Sequence, residues 1–311
     1  MMKRLLCLTL ICLLLCGCAD KYTTFDQTMF CMDTMMSFQI WGIDANDSAN
    51  QICGILKSLE TDWDAGSDTS LLAALNEGDA DLTDEQAALI AQVEALSERT
   101  GGAFDPRLYA VSQLWGFTSD EHQIPTQEEI DAALLEQRWD LGAALKGYAA
   151  DRCVEILENA QVERALLDFG GNIQTYGSKP NGEPWNIGIR SPFDSGTIGT
   201  LQIQGTMSIV TSGDYQRYFE VDGQRYYHIL DPDTGRPADS GISSVTVVCQ
   251  NGLTADALST ALFVMGLEEG TRFYQESDDF EAVFVLTNGE VYATEGLTLS
   301  DCDYQVIPHE N

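Results

Sequence analysis

Hydrophobic and polar positions divide the chain into three stretches with different rhythms. An almost unbroken apolar run covers Leu5 to Leu15, behind Lys3 and Arg4. It is shorter than the ~20 apolar residues of a membrane-spanning helix and has the length of a signal-peptide core. Residues 19–30 are polar and predict a tether. Phe30 to Ile43 then has strand-like spacing, and helical periods follow. Ile52, Ile55, Leu56 and Leu59 predict a helix over Ala49 to Thr61. Asp62 to Ser70 reads as a loop. Thr83 and Gln86 predict a capping box for a helix that runs to about Arg99 and stops at Gly101-Gly102. Pro125 to Glu129 reads as another helix start, and Ala143 to Leu157 as a helix.

In the second half the period changes to strands. They are expected at Ala165–Phe169, Trp185–Arg190, Gly199–Ile203, Met207–Thr211, Tyr215–Val221 and Val245–Cys249. Thr254 to Met265 returns to helix, ending near Gly266. Ala282–Leu286 and Val291–Ala293 complete a sheet. Hairpin-like strands with helices between them predict an α+β fold of mixed, mainly antiparallel sheets flanked by helices.

The leader ends in Leu15-Cys16-Gly17-Cys18, and small residues before a cysteine resemble a bacterial lipobox. On that reading residues 1–17 are a lipoprotein signal peptide and Cys18 is the lipidated first residue; the alternatives are an ordinary cleaved signal or an uncleaved anchor. Residues 18–30 are then a tether and 31–311 a single domain. The expected location is the bacterial cell membrane, lipid-anchored on the extracytoplasmic face. Cys16 stands where Ala or Ser is usual.

Charge narrows the partners. Sixteen Lys and Arg face 49 Asp and Glu, a net charge of -33. Such a surface repels phosphate backbones, so nucleic acid is excluded as a partner. A polyphosphate site here needs local positive charge from a metal, a helix N-terminus or a few Lys and Arg. Five of the nine cysteines lie beyond the leader, an odd number without paired CxxC spacing, which reads as buried thiols.

Five segments carry candidate chemistry, each with an ordinary structural explanation of its own. Gly101-Gly102-Ala103-Phe104-Asp105 reads as a helix C-cap and turn, or as backbone open to a ligand. Asp140 to Asp151 places a small-residue turn and Lys146 at a helix start, which suits a packed terminus or a phosphate. Asp168-Phe169-Gly170-Gly171-Asn172 is a tight turn or an open backbone edge. His228, beside Asp231 and a turn built by Pro232 and Gly235, is a candidate general base. Asp256 and Thr260, four apart, share one helix face and can hold Mg²⁺.

Taken in order, these segments resemble the ApbE family, the FAD:protein FMN transferases. The resemblance runs from Met32-Asp33-Thr34 to the helix of Asp256 and Thr260. It includes Asp-Leu-Gly-x-x-x-Lys-Gly-Tyr-Ala-x-Asp, Gly-Gly-Asn, Thr211-Ser212-Gly213-Asp214-Tyr215 and His-x-x-Asp-Pro-x-Thr-Gly. It implies an ApbE-like fold with the flavin site in a cleft between sheet and helices. It assigns FAD contacts to Met32, Ala103, Phe104, Asp105, Asp140, Lys146 and Leu230, and catalysis to His228. Magnesium falls to Asp256, Thr260, the adjacent Ser259 and the Ala143 carbonyl. The implied activity is Mg²⁺-dependent transfer of FMN from FAD to a Thr or Ser hydroxyl, with release of AMP. The implied acceptor is a flavoprotein such as a membrane redox-complex subunit. An FAD pyrophosphatase that releases FMN and AMP, and a flavin-binding lipoprotein without turnover, are the rival readings. Two departures stand out: Asp33 replaces the usual Gly, and the Asp64–Ser70 loop lacks the Tyr that some members place on the flavin.

Overall fold

A computed structural model describes residues 23–119 and 121–309. The expected signal peptide, residues 1–17, and Cys18 lie outside the described residues. Strands and helices are numbered in chain order. The strands are β1 (Thr23–Cys31), β2 (Thr34–Gly42), β3 (Val162–Phe169), β4 (Ile173–Tyr176), β5 (Trp185–Arg190), β6 (Thr197–Ile203), β7 (Met207–Gly213), β8 (Tyr218–Val221), β9 (Gln224–Tyr227), β10 (Leu230–Asp231), β11 (Arg236–Pro237), β12 (Ile242–Cys249), β13 (Phe280–Leu286), β14 (Val291–Thr294), β15 (Leu299–Ser300) and β16 (Gln305–Ile307). The helices are α1 (Ala45–Trp63), α2 (Leu71–Glu77), α3 (Asp84–Arg99), α4 (Tyr109–Trp115), α5 (Gln127–Leu134), α6 (Leu145–Glu158) and α7 (Gly252–Gln275).

Nine strands form one sheet in the order β1-β2-β3-β4-β7-β12-β13-β14-β16. Its described pairings are antiparallel except the last, β14 with β16. The fold is thus α+β, as the alternation of strand and helix periods predicts. The sheet is covered on both faces in its middle. Val245, Val247 and Cys249 of β12 pack against α7, while Val248 packs against the small sheet β15-β6-β5. This two-sided cover explains why every residue of β12 is buried. β5 shows the opposite case: its strict buried–exposed alternation leaves one face to the core and one to solvent. On the other half of the sheet, Met36, Phe38 and Ile40 of β2 pack with α1, α3, α6 and the start of α7.

Several boundaries differ from expectation. The tether expected at residues 18–30 overlaps β1, which begins at Thr23 and pairs with β2 along its whole length. Thr24, Asp26 and Thr28 are polar and exposed, Phe30 is apolar but 66% exposed, and Phe25 and Met29 are only half-buried, so the strand lacks a clean apolar alternation. α7 continues past Gly266 to Gln275, but Gly266 breaks the helical backbone with φ 75° and ψ -176°. The Thr83–Gln86 capping box is present, and Thr126 with Glu129 forms a second. The short α2, α4, β4, β9 and β16 carry too few residues to show a period.

Candidate active site

Two helix starts and one sheet edge make the floor of the site. Gly147 of α6 and Gly252 of α7 meet back to back: a Cβ on Gly147 would lie 2.0 Å from the Gly252 carbonyl oxygen and 2.7 Å from Asp256 Cβ. Only glycine permits this approach. It lets the Gly147 N–H donate to Asp256 Oδ2 at 2.8 Å. In an unbroken helix that N–H would go to the carbonyl four residues back, that of Ala143. The Ala143 carbonyl is released from that bond, and Ala143 lines the cleft beside α6.

The α7 N-terminus is closed by the protein itself. Asp151 accepts from the Gly252 and Leu253 N–H groups at 2.6 and 2.9 Å, and Asn251 caps Thr254 at 2.8 Å. Its donors are therefore spent on side chains, which argues against this helix end as a phosphate cradle. Burial pushes the Asp151 carboxyl up to about 6 against those hydrogen bonds.

Across the cleft, α4, α5, β8 and β9 form a small apolar cap around Trp115, Ile130 and Phe219. Trp115 Nε1 donates to the Gly235 carbonyl at 2.8 Å, which fixes the turn after β10. That turn sets Leu230 and, two residues before it, His228. The Arg217 carbonyl accepts both the His228 backbone N–H at 3.1 Å and its Nδ1–H at 3.2 Å. A carbonyl only accepts, so the proton sits on Nδ1 and Nε2 keeps its lone pair. Burial pushes His228 down to about 4, and the Arg217 and Lys146 cations add to this. The imidazole is neutral at physiological pH and has a free basic nitrogen. Asp140, near the same two cations, is pushed up by burial, while the Gly142 N–H at 2.8 Å holds its charged form.

The cleft between these parts has a volume of about 700 Å³, inside the range of ordinary ligand sites. It brings together Met32, Ala103, Phe104, Asp105, Asp140, Ala143, Lys146, His228, Leu230, Asp256 and Thr260. Residues far apart in sequence thus converge on one space. Ser259 is not brought there. It is fully buried, donates to the Asp256 carbonyl at 2.8 Å, and meets Ser212 Oγ at 2.8 Å. Ser212 in turn lies 3.3 Å from Thr260 Oγ1. The Asp64–Gly66 loop, with Ala65, lines the cleft without an aromatic ring of its own.

Sequence reasoning missed Arg217, Arg190 and Ser212 as cleft residues. Arg217 was within reach of it, since it closely follows the Thr-Ser-Gly-Asp-Tyr stretch. Its place depends on the excursion between β7 and β8, which no period reveals.

No group of three or more His, Cys, Asp or Glu side chains within metal-binding reach exists among the described residues. The expected magnesium set has only one carboxylate, so this does not bear on it. The test of fit lies in the donors themselves. Asp256 is 5% exposed, and among the described residues no donor meets its Oδ1. With the released Ala143 carbonyl and the Thr260 hydroxyl, this is a hard oxygen set suited to Mg²⁺.

Comparison with known proteins agrees with this geometry. Residues 32–284 match the ApbE family. An FAD:protein FMN transferase of Treponema pallidum is 30% identical over 93% of this chain and 92% of its own length. One from Klebsiella pneumoniae is 36% identical over 70% of this chain and 76% of its own. The crystal structure of the ApbE protein of Thermotoga maritima superposes with a TM-score of 0.80 at 31% identity, covering 88% of this chain and 98% of that one. The Pseudomonas stutzeri flavinyl transferase ApbE, in its apo form, gives 0.76 at 28% identity over 88% and 95%. With a family match over most of its length and these relatives, the chain belongs to the ApbE family.

Proposed function

We propose that this protein is an FAD:protein FMN transferase, Mg²⁺-dependent, acting on a Thr or Ser hydroxyl of an acceptor flavoprotein such as a membrane redox-complex subunit. The observation that carries the reading is the convergence on one cleft of a neutral histidine, three cations and a carboxylate–hydroxyl–carbonyl set. Asp256, Thr260 and the Ala143 carbonyl would hold the magnesium, with Ser259 supporting from below. Bound there, the ion would supply charge neutralisation at the diphosphate oxygens.

The chain's own residues do the rest. Lys146 and Arg217 give an acidic protein local positive charge for the FAD diphosphate. Met32, Ala103, Phe104, Asp105, Asp140 and Leu230 shape the remaining walls. His228 Nε2 takes the proton of the attacking hydroxyl, a contribution of about 10²–10⁴-fold for a well-placed base. The hydroxyl oxygen bonds to the phosphorus of the FMN half, the P–O bond to the adenylate half breaks, and AMP leaves. Burial, with the nearby cations, keeps His228 neutral and so able to accept a proton.

The reading is tested with leaderless protein, FAD, Mg²⁺ and a candidate acceptor, run on a gel and viewed by flavin fluorescence. Fluorescence on the acceptor, lost on chelation, is the expected result. FMN found only in solution identifies a pyrophosphatase, and retained FAD without turnover a flavin-binding lipoprotein. We also propose lipid attachment at Cys18 on the extracytoplasmic face of the bacterial membrane, supported by the leader pattern. Among the described residues no helix is long and apolar enough to cross a membrane. Loss of fatty-acid labelling in Cys18→Ala checks the anchor.

A further inference from the structure

Five buried side-chain atoms among the described residues have no hydrogen-bond partner: Ser48 Oγ, Arg152 Nε, Asn172 Nδ2, Asp214 Oδ1 and Ser244 Oγ. Arg152 and Asp214 have ion-pair partners in Glu85 and Arg225, at 3.2 and 3.9 Å. Of the five, only Asn172 lines the cleft. It is 5% exposed. A buried donor left unpaired is costly, and native structures seldom keep one without a use.

The turn that holds Asn172 does not need its amide. The Asn172 carbonyl accepts from the Phe169 N–H at 2.9 Å, and Asp168 Oδ1 accepts from the Gly171 N–H at 2.8 Å. These bonds close the turn by themselves. Gly170, with φ 72°, brings it against Thr34: a Cβ there would lie 2.0 Å from Thr34 Oγ1. The backbone is thus fixed while the side-chain amide has no bond to any described residue.

Its position selects the part of the ligand it meets. Asn172 lies two residues before Gln174, so the two share a face. Gln174 is bonded to Ser208 of β7. A Cβ on Gly252, at the start of α7, would come 3.0 Å from Ser208 Oγ. The β4–β7 register pairs Ile173 with Ile209. Continued by three residues, it sets Gly170 opposite Ser212, the residue that contacts Thr260. Asn172 therefore sits on the helix-covered face, at the end of the cleft shared by Asp256 and Thr260. The terminal torsion of Asn is broad, so a small rotation turns its N–H toward the cleft.

We propose that the Asn172 amide donates a hydrogen bond to a non-bridging phosphate oxygen of the FAD diphosphate and so orients it beside Asp256 and Thr260. The assignment of FAD rests on the transferase reading above. The amide adds a neutral, backbone-fixed donor beside the charged donors Lys146 and Arg217.

The test uses Asn172→Leu and Asn172→Asp, both close to Asn in size, in otherwise unchanged protein. Three quantities are read: the thermal midpoint without ligand, FAD affinity in the presence of Mg²⁺, and kcat/KM for transfer. Asn172→Leu removes an unpaired buried donor, so the ligand-free midpoint is expected to hold or rise. FAD affinity is expected to fall about 10–100-fold, the scale of one hydrogen bond to a charged group. Asn172→Asp places a carboxylate beside the diphosphate and is expected to lose more. FAD affinity equal to the parent protein in both variants overturns the proposal. So does a ligand-free midpoint that drops in both, because the amide then serves the fold. If the parent protein binds FAD in an Asn172-dependent way but transfers no flavin, the transferase reading fails and the assignment of Asn172 stands.

Discussion

The two ends of the cleft are built by opposite means. At the α6–α7 junction, buried polar groups more than a hundred residues apart hold each other: Asp256 takes the Gly147 N–H, and Asp151 takes the Gly252 N–H. At the rim, short turns hold themselves. Asp64 accepts from the Gly66 N–H at 2.8 Å, and Asp105 from the Arg107 N–H at 2.9 Å. Exposure separates the ends as sharply: Asp256 is 5% exposed, while the Asp33 side chain is 82% exposed. A junction made of long-range contacts passes any disturbance to the fold and the site together. A rim made of local turns confines it. Breaking one end and watching whether the other responds therefore tests the contrast.

The largest effect is expected from Gly147→Ala. The added methyl meets Gly252 oxygen at 2.0 Å and forces α6 from α7. Overpacking of this kind costs about 1–3 kcal/mol and occasionally more. For a chain of this size each kcal/mol lowers the thermal midpoint by about 2–4 °C. Transfer activity should vanish with it, because Asp256 must move. Calorimetry and the gel assay on the same preparation check both. A variant with the parent's midpoint and activity would show that the helices slide apart freely and that the junction is no special end.

His228→Gln is expected to lower transfer by about 10²–10⁴-fold. The pH dependence is the sharper test. With its folded value near 4, His228 stays neutral and basic down to about that pH. The kcat/KM profile, which reports the free enzyme, should therefore show no acid limb from this residue between pH 8 and 5. A limb near 6.5 would mean that neither burial nor the Arg217 and Lys146 cations act on the ring. The same shift links to stability. The folded value lies below the ordinary 6.5, so His228 contributes stability that is present above 6.5 and lost as pH falls toward 4. Asp151 runs the other way: raised from 3.8 to about 6, it favours the fold below 3.8 and loses that contribution as pH rises through 6. His228→Gln should flatten the acid loss of stability and leave the opposing Asp151 trend visible in a pH series of thermal midpoints.

Asp256→Asn separates site from fold within the junction. The Asn oxygen can still accept the Gly147 N–H, so the midpoint should change little. Activity should fall about 10²–10³-fold, the scale of losing one electrostatic stabiliser of a transition state. The dependence of the remaining activity on Mg²⁺ concentration should shift upward. A midpoint as low as that of Gly147→Ala would assign Asp256 to the fold.

The same contrast explains what the sequence revealed. Long elements with a clear period were legible: Thr83 and Gln86 announce α3, and the four-residue spacing of Asp256 and Thr260 marks one face of α7. The α+β class follows from such elements. The convergence was not legible from period or spacing. Asp151 as the cap of α7, Ser259 turned beneath the cleft and Arg217 holding His228 all depend on contacts between distant segments. The start of β1 was hidden for another reason, since Thr23, Thr24 and Asp26 are polar and exposed and make the beginning of this edge strand look like a tether.

The smallest effect is expected at the rim, from Asp33→Gly. Met32 and Asp33 have φ of 49° and 57°, the left-handed region that costs a residue with a Cβ about 1 kcal/mol or more. Glycine removes that cost, but it adds about 0.5–1 kcal/mol of unfolded-state freedom. The ion pair lost to Arg217, at 3.7 Å between two exposed side chains, contributes little in water. The terms nearly cancel, so the midpoint should move by only a few degrees in either direction. The neighbouring bond from the Met32 N–H to Glu60 Oε1, at 2.6 Å, still anchors the turn. A large fall in the midpoint would mean that Asp33 holds Arg217, and through its carbonyl His228, as tightly as the junction holds Asp256. The rim would then be a second long-range end, and the difference between the two halves of the cleft would disappear.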